Sequence, residues 1–122
     1  MSYDLGFFTY RDGQTLHDVR TAYHEACAGD LTNEGVTDAT LESFVAALER
    51  QYPQLSALQD DQLDDSPWSC DFDLGTHHLV ISMTFSKAAE VGAFIHRLLR
   101  DHSLVVYDPQ SDSAFVENQP LV

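Results

Sequence analysis

Two rhythms of apolar residues run through the chain, one of period two and one near 3.6. Tyr3 to Tyr10 follows the first: Tyr3, Leu5, Phe7 and Thr9 point one way, Phe8 and Tyr10 the other. Its aromatic content favours a strand, and Asp12-Gly13 supplies the turn that ends it. The helical rhythm takes over at Thr15, an N-cap with Asp18 three residues on as a short capping-box analogue. Leu16, Val19, Tyr23, Ala26 and Cys27 form its stripe, and Gly29 is its stop. A second helix starts at Thr37 or Asp38, carries Leu41, Phe44, Val45, Leu48 and Tyr52, and ends at Pro53.

Residues 54–67 break both rhythms. This linker is polar and acidic, with Leu55, Leu58 and Leu63 as its large apolar anchors and room for a short helical turn. Strands Trp68–Leu74 and His78–Phe85 follow, joined by a hairpin turn at Gly75-Thr76. Leu79, Ile81, Met83 and Phe85 make one face of the second strand, and Val80, Ser82 and Thr84 the more polar one. Ser86 caps a third helix with the stripe Val91, Phe94, Ile95, Leu98 and Leu99, while Arg97, Arg100 and His102 suit its C-terminal dipole. Ser103 to Asp108 is the last strong strand, closed by Pro109, with a short edge strand around Phe115-Val116 after it. The order β-α-α-β-β-α-β predicts a single α+β domain over residues 1–122. Its sheet is mostly antiparallel with helices on one face, in a ferredoxin-like split βαβ topology with an extra helix in the first crossover.

Charge changes the picture. The 20 acids outweigh the 6 bases, for a net charge of −14, in a chain whose 43% hydrophobic content is that of a globular protein. From Gln51 to Ser86 there is no lysine or arginine, yet the stretch holds Asp60, Asp61, Asp64, Asp65, Asp71 and Asp73 around the lone Trp68. Such a surface repels nucleic acid and anionic membranes and speeds association with a cationic protein. Tryptophan is a favoured interface anchor. These six aspartates and Trp68 are therefore the expected partner-binding residues. The first residues, MSYDLGFFTYRDG, lack the basic and apolar regions of a secretion signal, and no apolar run approaches the ~20 residues of a membrane span. The expected location is the cytoplasm, where Cys27 and Cys70 would be free thiols.

Candidate chemistry is thin. Asp60 to Asp65 lacks the alternating acids, central glycine and late glutamate of a calcium loop, and Asp71-x-Asp73 before Gly75 fits a hairpin face better. No metal and no cofactor is expected. His77 and His78 read as exposed turn residues that point to opposite faces. His17 and His24, like His96 and His102, lack the i, i+4 spacing of a zinc pair. Cys27 reads as a small core residue. No phosphate loop, HExxH or GxSxG motif is present, so no catalytic residue is assigned.

Three short motifs bear a resemblance. Ser2-Tyr3-Asp4-Leu5-x-Phe7, Ser66-Pro67-Trp68 and Val105-Val106-Tyr107-Asp108-Pro109-Gln110 resemble segments of small bacterial immunity proteins of polymorphic or type VI-secreted toxins. The resemblance implies a non-enzymatic protein that neutralises a cognate toxin; the acidic composition adds the expectation of a basic surface on that toxin, and the missing secretion signal that it acts in the cytoplasm. The resemblance carries over no catalytic residue. The alternatives are a homo-oligomeric or structural domain that dimerises through a sheet edge, and a small histidine–carboxylate enzyme. The enzyme would use a cleft between the first helix and the sheet, where His17, His24 or His96 meets an acid.

Overall fold

The chain runs β1 (Ser2–Thr9), α1 (Leu16–Ala28), α2 (Ala39–Gln51), β2 (Asp73–Leu74), β3 (His78–Thr84), α3 (Phe85–Leu98), β4 (Leu104–Asp108), β5 (Ser113–Val116) and β6 (Gln119–Pro120). Two 3-10 turns, Leu55–Ala57 and Asp60–Asp65, lie between α2 and β2. The computed structural model describes residues 2–29, 37–117 and 119–122. All strands join one antiparallel sheet in the order β2-β3-β1-β4-β5-β6. The first four stand in the ferredoxin-like order, with β1 between β3 and β4, and β5 and β6 extend one side.

Each face of the sheet has its own core. On the front, Leu5, Phe7, Leu79, Ile81, Met83 and Leu104 meet Leu41, Phe44, Val45 and Leu48 of α2 and Val91 and Ile95 of α3. Phe7 and Phe44 stack at the centre, with ring centroids 4.9 Å apart. On the back, Phe8, Val105, Tyr107 and Ala114 meet Val19 and Tyr23 of α1. The expected helices on one face are thus corrected in part: α2 and α3 share the front, whereas α1 covers the back, where β1, β4 and β5 present Phe8, Val105, Tyr107 and Ala114.

The back layer depends on one glycine. A Cβ on Gly6 would lie 2.7 Å from Tyr23 Cδ1 and 3.1 Å from Phe8 Cε2. The bare backbone there lets Tyr23 descend onto the sheet beside Tyr107, 5.0 Å between centroids. Burial pushes the Tyr23 hydroxyl's pKa up, with hydrogen bonding to Cys27 adding to it. Local caps set α1. Thr15 and Asp18 form the expected capping box, and Gly29 closes the helix at φ 76°. Arg20 then grips Asp112 through two hydrogen bonds, 2.8 and 2.7 Å, which ties α1 to the β4–β5 turn. Asp112 sits at φ 50°, and its carboxyl is held down to about 2 by Arg20 and by the Tyr107 hydroxyl.

Several local expectations are corrected. Cys27 is exposed, because only Val19, Tyr23 and Ala26 of α1 turn fully inward and the next position rotates to the rim. Cys70 is exposed as well, and both thiols are free. The strand expected over Trp68–Leu74 is interrupted. Trp68 bridges Met83 and only Asp73 and Leu74 form a ladder. Between them, Phe72 N–H donates to Gln54 Oε1 and Asp71 Oδ1 accepts from Ser56 N–H, so Asp71 and Phe72 bond to the linker and not to β3. Phe85 is no strand residue and Ser86 no cap: Thr84 is the N-cap and Phe85 the first residue of α3. Phe85 stays half exposed, edge-on to Tyr3 at 5.9 Å.

Gly6→Ala is expected to lower stability by about 1–3 kcal/mol, since the new methyl has no room between Tyr23 and Phe8. Denaturant titration checks this, and Gly13→Ala is no substitute control because φ there is 81°.

Candidate functional site

The acidic residues lie on the linker turn and on the segment that leads into the edge strand β2. Asp60, Asp61, Asp64 and Asp65 are all exposed on the second 3-10 turn. Gln59 and Gln62 cap its start reciprocally, and Ser66 N–H closes its end on Leu63 O at 3.2 Å. Among the described residues no ion pair reaches these four carboxylates. Asp71 is held against Ser56 of the same linker, and Asp73 begins the edge strand β2. The fold thus keeps the six aspartates on one continuous stretch of edge and linker.

Trp68 does not belong to that surface. It is 3% exposed, in the front core. Its indole N–H donates to Tyr52 O at 2.9 Å, and Phe72 meets its ring edge-on at 4.9 Å. Pro67 O and Ser69 N–H pair with Thr84 N–H and Ser82 O. A residue so covered cannot touch a partner while the domain is folded, and its role is to anchor the acidic segment from below.

A second constellation lies at the opposite end of the β2–β3 turn, and the sequence reading missed it. Asp38, the N-cap of α2, makes no side-chain cap bond. Its Oδ2 accepts instead from Thr9 Oγ1 of β1 and from His77 Nδ1, the latter at 2.8 Å. Its N–H donates to Thr76 O at 2.9 Å. One carboxylate therefore joins β1, α2 and the turn. The Thr9 hydroxyl and then His77 lower its pKa, with Arg11 adding a weaker pull.

Beside this clamp, α1 and the β1–α1 turn enclose a cleft of about 490 Å³ against His77 and His78. Phe8 and Ala22 supply apolar walls, and Asp12, Asp18 and Glu25 line it together with Arg11. His78 is not an exposed turn residue: it is 3% exposed, because β3 begins there and turns it to the covered back face. Its Nε2 lies 3.5 Å from Asp73 Oδ1, too far for a sound hydrogen bond, and has no other partner. Only His77 matches the exposed reading. The signal was in the chain, since adjacent strand residues must point to opposite faces.

The other histidines are dispersed. His17 and His24 are exposed and do not line the α1 cleft. His96 borders a separate groove with Glu117 and Arg100 over Val106 and Phe115. His102 bonds Leu98 O through Nδ1 at 2.9 Å and Ser43 Oγ through Nε2 at 3.1 Å, closing the end of α3 on α2. Among the described residues no trio of His, Cys, Asp or Glu is arranged to hold a metal ion, and no helix is long and apolar enough to cross a membrane. No protein family, no curated protein and no solved structure matches the chain.

Trp68→Ala is expected to cost about 3–5 kcal/mol in denaturant titration, the range for emptying a buried aromatic site. Trp68→Phe, which loses only the indole hydrogen bond and part of the volume, should cost less. The Asp38 clamp carries a pH signature. Its folded pKa is depressed, so the clamp's contribution is complete above the ordinary carboxyl range and fades as pH falls below it. Asp38→Asn should therefore lower Tm at pH 7, with the gap to the parent protein narrowing below about pH 4.

Proposed function

We propose that this chain is a binding protein of the immunity type, which neutralises a toxin acting in the cytoplasm by covering a basic site on it. One observation carries the reading. Asp60, Asp61, Asp64 and Asp65 stand exposed on a capped turn, with no basic side chain of the chain itself paired to them among the described residues. Like charges so close repel one another, and a cationic partner surface would relieve that repulsion. The turn rests on the buried Trp68, so little ordering is needed when a partner docks. Stoichiometric occlusion requires no reaction at the site, only complementary charge and shape.

The homodimer reading has weaker support. Both edge strands, β2 and β6, are two residues long, and β6 contains Pro120. Short edges with proline are poor templates for strand addition.

The test is neutralisation of the toxin encoded beside the chain's own gene. Reversing all four charges, Asp60→Lys, Asp61→Lys, Asp64→Lys and Asp65→Lys, should abolish protection. Raising salt from 50 to 500 mM should slow the parent protein's association by about tenfold or more while changing dissociation little. Full protection by the reversed variant would sink the proposal.

A further inference from the structure

The α1 cleft has a chemistry of its own, separate from the acidic edge. Three carboxylates, Asp12, Asp18 and Glu25, line it against the single guanidinium of Arg11. Arg11 is near enough to Asp38 to help depress its pKa, so its charge is shared with a carboxylate outside the lining. His77 is held through Nδ1 by Asp38, which leaves Nε2 as an acceptor when the ring is neutral. His78, almost wholly buried in the cleft wall, has an Nε2 that makes no hydrogen bond among the described residues, with Asp73 Oδ1 nearest at 3.5 Å. Carboxylates thus outnumber the one guanidinium along the cleft, while Phe8 and Ala22 offer an apolar wall.

We propose that this cleft binds the guanidinium of an arginine presented by a partner protein. A guanidinium brings five N–H donors in a planar fork and no acceptor, which matches a wall rich in acceptors. Its propyl stem suits the apolar wall of Phe8 and Ala22. An anion would meet three carboxylates, and a compact ammonium would not span acceptors carried by α1 and by the 75–78 turn. The volume, about 490 Å³, lies inside the roughly 300–1,000 Å³ that suits a small ligand, so the side chain and its flanking backbone fit. That the arginine comes from a protein rests on the function proposed above; recognition of the guanidinium does not.

The probe is N-acetyl-arginine methylamide, titrated into the isotope-labelled chain and followed by NMR, with the citrulline analogue as a neutral match. The arginine compound should shift the signals of Gly13, Ala22, His77 and His78 with a Kd on the order of millimolar. The citrulline compound should shift them at least about threefold more weakly at equal concentration. Glu25→Gln and Asp12→Asn should each weaken binding about two- to fivefold, while Glu42→Gln on α2 removes an equal charge without effect. Equal binding of citrulline, shifts confined to Asp60–Asp65, or no shift at tens of millimolar would each overturn the assignment. The titration needs no partner, so its failure leaves the role of Asp60–Asp65 standing. Loss of that role leaves the titration result standing in turn.

Discussion

β1 is covered on both faces, and neither cover can be lifted without exposing aromatic core. Phe7 and Leu5 face α2 and α3, while Phe8 and the bare Gly6 face α1. β3 and β4 flank it by hydrogen bonding, so the strand touches every layer of the domain. The position of α1 follows from this requirement. Once β1 and β4 present apolar residues to the back, something apolar must lie there, and the extra helix is the element available. The α1 cleft is where that back cover ends, at the start of β3, and His78 is the polar residue caught at its margin.

The elements were legible because their signals are local. Periodicity and caps bring β1, α1, α2, β4 and the start of α3 within two residues of their observed bounds, while α3 ends at Leu98, before the Arg100 and His102 expected in its last turn. The capping box of α1 and the His102 closure of α3 stand as the residue types suggest. The face taken by α1 was not read, although the consecutive apolar residues Phe7-Phe8 of β1 and Leu104 to Tyr107 of β4 mark strands buried on both sides. What could not be read locally were bonds across long separations. Gln54 and Ser56 take Phe72 and Asp71 out of the hairpin from 18 and 15 residues away. Asp38 forgoes its cap for Thr9 and His77, 29 and 39 residues off. In the candidate site, the exposure of Asp60–Asp65 followed from composition, whereas the burial of Trp68 depended on Tyr52 and Met83 closing over it.

The acidic turn and its anchor illustrate a division of labour. Residues that bind by charge gain nothing from burial, since desolvation would cost more than it returned. They need a fixed position, and Ser66-Pro67-Trp68 supplies it by inserting a large ring into the front core directly after the 3-10 turn that carries Asp60–Asp65. Reading Trp68 as an interface residue and reading it as an anchor make opposite demands on solvent exposure, and its 3% value decides for the anchor.

The same logic bears on where the chain's few cations lie. Arg50, Lys87 and Arg97 are on α2 and α3, Arg100 follows α3 directly, and Arg20 is committed to Asp112. Arg11 alone stands among carboxylates at the α1 cleft, and the segment from Gln51 to Ser86 has none. A net charge of −14 spread evenly would attract a cationic body without orienting it. With the bases mostly on the helical layer, the linker and the α1 cleft are left rich in carboxylates, and an uneven field of this kind would orient a cationic body as well as attract it. Charge placement of this kind costs no fold stability on the helices, where Arg97 packs over Phe94 with 5.7 Å to the ring centroid. Like charges on the turn at Asp60–Asp65 repel one another, and the turn is closed by reciprocal glutamine caps and followed at once by the buried Trp68.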